Sequence, residues 1–146
     1  MGETVLVAVD GSPLSYRALR HAIEKFPDAD IVTLTVRDIF EPWRGSEAGG
    51  IETPPISSDE FRERGEETTE AVLSEAEAIA GEYDRVVERR TESGDPQRLI
   101  PDIARDDDID HIVLGVHGRE EAERTLFGRV AETVVFRAPV SVTVIR

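Results

Sequence analysis

The sequence predicts an α/β fold: a five-stranded parallel sheet in the order 3-2-1-4-5 with helices on both faces. Three observations predict it. Short, β-branched apolar runs alternate with segments of helical spacing from end to end, and such alternation implies right-handed crossovers and parallel strands. The first and fourth runs are the most continuously apolar, which places them at the sheet's centre. Both run directly into glycine turns, so a switch point between strands 1 and 4 is where a ligand is expected.

Thr4-Val5-Leu6-Val7-Ala8-Val9 has the length of a buried strand. Ser12-Pro13 then supplies a helix cap with proline at the first position. Leu14, Ala18, Leu19, Ala22, Ile23 and Phe26 recur at helical spacing until Pro27, and Ile31 to Val36 is the second strand. The rhythm breaks over 38–56, where six prolines and glycines fall, and this stretch reads as a flap or an insert. Ser57 with Glu60 forms a capping box for a long helix to about Tyr83. Val86 to Thr91 is a weak, polar strand suited to a sheet edge. Asp95 caps a third helix with Leu99, Ile100, Ile103 and Ala104 facing inward. His111 to Leu114 is the fourth strand and ends in Gly115, Arg129 to Arg137 is the last helix, and Val140 to Ile145 closes the chain as a fifth strand.

With 146 residues the chain is expected to form one domain, residues 1–146, with a core that needs no disulfide. The 31 acidic residues against 17 basic ones give a net charge of −14. That excludes a general nucleic-acid binder, which needs a basic face to release counterions, and it opposes docking to an anionic membrane. Only Lys25 is a lysine. Excess acid with almost no lysine is the composition of a protein kept hydrated in high salt, as halophiles require; an acidic protein from a GC-rich genome is the alternative. Residues 41–84 carry 13 of the acidic groups and 3 basic ones, whereas residues 119–146 balance five arginines against four glutamates. The acid therefore gathers on the flap and second helix, and the expected anion-binding end stays nearly neutral. Cysteine is absent, which removes thiolate chemistry and cysteine-based metal sites. The N-terminus has no basic or long apolar stretch and no window spans a bilayer, so a cytoplasmic location is expected.

Nucleophile elbows, zinc-protease motifs and Walker loops are all missing. His21 is expected at the helix surface, His111 opens a strand, and His117 lies in a glycine turn. The sharper pattern is Gly115-x2-Gly118-x9-Gly128, two turn glycines and a third at the mouth of the last helix. Such a loop can turn its amides to an anion beside the positive end of a helix dipole. The same glycines also serve as plain turn and cap residues.

The opening Val5-Leu6-Val7-Ala8-Val9-Asp10-Gly11-Ser12 resembles the start of the universal stress protein family. Asp110 to Arg119, Leu126 to Glu132, Ala138-Pro139-Val140 and the turn Gly94-Asp95-Pro96 are similar to it as well. The likeness spans the chain apart from a variable loop at 41–60, and with the composition it points to a halophilic archaeal member. It implies a Rossmann-like fold of the adenine nucleotide alpha-hydrolase type and a homodimer through Val140 to Ile145. It also implies a stress-response regulator or sensor; with no nucleophile, metal cluster or positioned base pair beyond Asp10 and His117 in the sequence, an enzyme is not expected, although related proteins sometimes hydrolyse ATP slowly. ATP, with Mg2+ accompanying it, is the implied ligand. By that resemblance Asp10 contacts ribose or base and Val36 offers backbone groups to adenine. Gly115, Gly118 and Gly128 line the phosphates, and Gly11, Ser12, Val116, His117, Arg119, Arg129 and Val130 complete the site. Two features depart from the pattern. Arg129 stands where the family has Ser or Thr, and Glu120 and Glu121 stand where small residues are usual; Arg119 and Arg124 partly offset the glutamates. These departures favour an alternative, a nucleotide-free dimeric interaction protein of the same fold. The 38–60 segment, with Trp43, is either a lid or a solvated linker.

Overall fold

The structure, a computed structural model, describes residues 2–37, 58–116 and 129–146, and the side chains of all of these except 58–65. The elements are β1 (Thr4–Ala8), α1 (Pro13–Lys25), β2 (Asp30–Arg37), α2 (Ser58–Glu82), β3 (Glu88–Ser93), α3 (Pro96–Asp106), β4 (His111–Gly115), α4 (Arg129–Arg137) and β5 (Ser141–Ile145). The strands form one sheet in the order β3-β2-β1-β4-β5, all parallel, as the sequence predicts.

Alternation along the strands divides the core in two. Val5, Val7, Val9, Ile31 and Val113 face α1 and α2, where Leu19, Ile23, Leu73, Ala76 and Ile79 meet them. Leu6, Val32, Leu34, Ile112 and Leu114 face α3 and α4, packing on Ile100, Ile103, Ala131 and Val134. Both faces of the inner strands are covered, which is why β1 and β4 read as unbroken apolar runs.

The helix ends are wired as their cap residues dictate. Ser12 Oγ accepts from Ser15 N–H at 3.2 Å and Pro13 opens α1. Asp95 Oδ1 accepts from Gln97 N–H at 3.0 Å at the start of α3. The end of α1 and the turn after it gain a cationic partner: Arg85 donates to Ala29 O at 2.6 Å, with Ile23 O and Phe26 O at 3.5 Å. This anchor accounts for the one displaced strand. β3 begins at Glu88 rather than Val86, because residues 85–87 are drawn toward α1; Val86 is left 92% exposed while Val87 enters the core.

The two sheet edges differ in kind. On β3, Arg89 pairs with Glu70 and Glu77 of α2, and on the opposite face Arg90 pairs with Glu92 and Asp107. Charge of this sort discourages further strand pairing. β5, Ser-Val-Thr-Val-Ile, carries none.

Candidate functional site

The chain leaves β1 through a tightly wired turn. Asp10 Oδ1 accepts from Ser12 N–H at 2.9 Å, and Asp10 N–H donates to Ser15 Oγ at 3.3 Å. Ser15 Oγ in turn donates to Ser12 O at 2.8 Å. Both serines are buried. Gly11 has φ +87°, a left-handed conformation that L side chains rarely adopt. Asp10 itself is half-buried, and its Oδ2 has no hydrogen-bond partner among the described residues. One carboxylate oxygen thus holds the turn.

Val36 lies beside this turn on the next strand. Leu34 O accepts from Val9 N–H at 2.9 Å and Arg37 O from Gly94 N–H at 2.8 Å. Backbone groups alternate sides along a strand, so those of Val36 share the β1-facing side with Leu34. β1–β2 pairing has ended by then, at Ala8 opposite Leu34. The N–H and C=O of Val36 therefore face the space beyond the end of β1.

Gly115 ends β4 against the first turn of α1: a Cβ there would lie 2.9 Å from Leu14 Cβ and 3.0 Å from Leu14 C. Packing alone accounts for this glycine. Val116 is buried, and its N–H donates to Ile145 O at 2.8 Å, so its amide is engaged with β5. Arg129 is exposed at the first position of α4, and Val130 packs on the α3/α4 side of the core. Asp10, Gly11, Ser12 and Val36 are thus gathered around the end of β1, with Gly115 across α1's first turn. His117, Gly118, Arg119, Glu120, Glu121, Arg124 and Gly128 lie outside the described residues, as do Trp43, residues 41–57 of the expected loop and the Ser57 cap; residues 58–60, expected in that loop, already belong to α2.

Three residues escaped the sequence reading. Tyr16 sits partly buried on α1, and burial raises its phenol pKa, aided by the charges of Glu75 and Asp10. Ser15 relays the turn. Thr35, buried in β2, donates from Oγ1 to Val9 O at 3.1 Å. The only sequence signal for Thr35 was a polar residue on the inward period of an apolar strand.

At the opposite end of β4, His111 Nε2 lies 2.6 Å from Thr143 Oγ1, and its ring stands 4.8 Å from that of Phe26. Burial lowers its pKa; Glu3 opposes this and His21 adds to it. His21, on α1, is half-buried. Among the described residues no group of three or more His, Asp or Glu is placed to hold a metal, and no helix is long and apolar enough to cross a membrane.

Comparison with known proteins agrees with this fold. The family model described as "Universal stress protein family" matches residues 1–146. Universal stress protein MJ0531 of Methanocaldococcus jannaschii is 31% identical over 144 residues, covering 97% of this chain and 81% of that one. The solved structure of protein MJ0577 superposes with a TM-score of 0.74 at 26% identity, over 99% of this chain and 96% of that chain. The universal stress protein from Archaeoglobus fulgidus in complex with dAMP has a TM-score of 0.65 at 23% identity, over 100% and 98% of the two chains. With its five-stranded parallel sheet and its turn at the end of β1, the chain belongs to the universal stress protein family.

Proposed function

We propose that this chain binds an adenine nucleotide at the ends of β1 and β2 and works as a dimeric stress-response regulator without catalytic turnover. The observation that carries the reading is the pairing of Asp10 with Val36. A carboxylate oxygen available to ribose hydroxyls stands beside a backbone N–H and C=O that face past the end of β1. Adenine's edge offers a ring-nitrogen acceptor next to an amino donor, the complement of that pair. The dAMP complex of the Archaeoglobus protein supports the ligand class. ATP is the expected form, its phosphates reaching toward the 115–129 end of the site. Mg2+ is expected to arrive with the triphosphate.

Association through Val140 to Ile145 is supported by the contrast between the charged β3 edge and the uncharged β5 edge. The acid-rich, lysine-poor composition supports a halophilic origin, in which salt screens the net charge of −14. The nucleotide content of protein purified in high salt without added ATP tests the central reading. Bound adenine nucleotide, or ATP affinity on titration, is the expected result; the absence of both would overturn it. Phosphate release above background, abolished by Asp10→Ala, would overturn the non-enzymatic part.

The alternative, a nucleotide-free dimer, is favoured by one specific observation: Gly115 needs no ligand to explain it, because Leu14 fills the space beside it. Arg129→Ser separates the readings. A tenfold gain in ATP affinity, about 1.4 kcal/mol, would show that Arg129 had closed the site.

A further inference from the structure

The last carbonyl that β1 presents to β2 is taken by a side chain. Val9 N–H donates to Leu34 O at 2.9 Å, so the next bond of a parallel ladder would run from Val36 N–H to Val9 O. Pairing stops short of that bond, at Ala8 opposite Leu34. In its place the buried Thr35 hydroxyl donates to Val9 O at 3.1 Å. Among the described residues no backbone hydrogen bond joins Val36 to Val9. We propose that Thr35 is a positioning residue that satisfies the Val9 carbonyl and so keeps the Val36 amide open for the adenine ring.

The buried threonine one rung earlier shows that this is a choice of direction. Thr33 sends its hydroxyl the other way, to Glu88 O of β3 at 3.0 Å, where the ladder continues through Val36 opposite Glu92. Of the two, it is the Thr35 hydroxyl that stands where a ladder ends. A carbonyl left without a donor there would draw in the Val36 N–H, because an unsatisfied buried acceptor is costly. With the hydroxyl present, β1 is capped and the strand does not zip one rung further. The Val36 donor is then held in place before any ligand arrives, which lowers the ordering cost of binding.

The inference rests on the adenine-nucleotide reading, and the test separates the two. Thr35→Val keeps the branched shape and removes the hydroxyl; Thr35→Ser keeps the hydroxyl. Backbone amide exchange at Val36, followed by NMR without ligand, is expected to be slower by about tenfold in the valine variant and close to wild type in the serine variant. AMP affinity by calorimetry is expected to fall about tenfold in the valine variant and to be kept in the serine variant. Should Thr35→Val fail to fold, Thr35→Ala makes the same comparison. Unchanged Val36 exchange and AMP affinity in a folded hydroxyl-free variant, with only a lower Tm, would overturn the proposal. If wild type binds no adenine nucleotide, the functional reading fails by itself, and the exchange comparison still decides the role of Thr35.

Discussion

Gly115 and Leu14 are in contact in a way that leaves room for no side chain: a methyl on Gly115 would sit 2.9 Å from Leu14 Cβ and 3.1 Å from its carbonyl oxygen. The end of β4 is thereby seated on the first turn of α1, just after the Asp10–Ser12 turn. Two segments far apart in sequence meet here at backbone distance, and the site takes its shape from that meeting.

Gly115→Ala is expected to destabilise the fold by about 1–3 kcal/mol, the usual result of overpacking where backbone atoms cannot yield. Gly81 near the end of α2 is the natural control, since a Cβ there meets nothing within 4 Å. Gly81→Ala is expected to change stability by no more than about 1 kcal/mol, in the stabilising direction. Urea denaturation of both variants checks the pair. Equal effects would show that the contact with Leu14 is unimportant.

Asp10 has two separable duties. Its Oδ1 accepts the Ser12 N–H, which Asn can reproduce with the same atom, whereas Ala cannot. Asp10→Asn is therefore expected to keep Tm near wild type and to weaken nucleotide binding through loss of the charge. Asp10→Ala should lower both. Ser12→Ala removes the cap of α1 and is expected to cost about 1 kcal/mol. Thermal unfolding beside calorimetric titration distinguishes these effects; a large loss of Tm in Asp10→Asn would contradict the division.

Much of this was legible in the sequence because it rests on local rules. Ser12-Pro13 and Asp95-Pro96 announce their helices, and the unbroken run from Val5 to Val9 announces a central strand. The displaced start of β3 was not legible, because it depends on Arg85 reaching carbonyls of Ile23, Phe26 and Ala29, more than fifty residues away. Gly115 invited a reading as a phosphate-loop glycine, yet its neighbour across the fold, Leu14, is invisible to spacing. Thr35 was missed for a related reason: the meaning of its hydroxyl depends on where a neighbouring strand stops.

His111 gives the fold a pH dependence of defined sign. Burial holds its pKa below the ordinary value of about 6.5, so the folded state prefers the neutral ring. The unfolded chain binds the proton more readily. Stability from this group is therefore complete above about pH 6.5 and declines as the pH falls from there through the lowered folded-state pKa. His111→Gln keeps a partner for the Thr143 hydroxyl and does not titrate. Its unfolding free energy is expected to fall less steeply than that of wild type across the same interval; parallel curves would remove His111 as the cause.

The edge of β5 can be tested without breaking the sheet. Val116 N–H donates to Ile145 O, so residues 141, 143 and 145 turn their backbone groups to β4, and residues 142 and 144 turn theirs outward. Proline at 144 removes only an outward N–H, which an edge strand tolerates, whereas proline at 143 removes a ladder donor to β4. Val144→Pro is therefore expected to give a folded monomer, and Thr143→Pro to lose stability as well. Light scattering after gel filtration reads the assembly, and circular dichroism reads the fold. With a net charge of −14 on each chain, wild-type association should strengthen as salt rises, because ions screen the repulsion over about 3 Å at 1 M against about 10 Å at 0.1 M. A Val144→Pro variant that stayed dimeric at every salt concentration would move the interface away from β5.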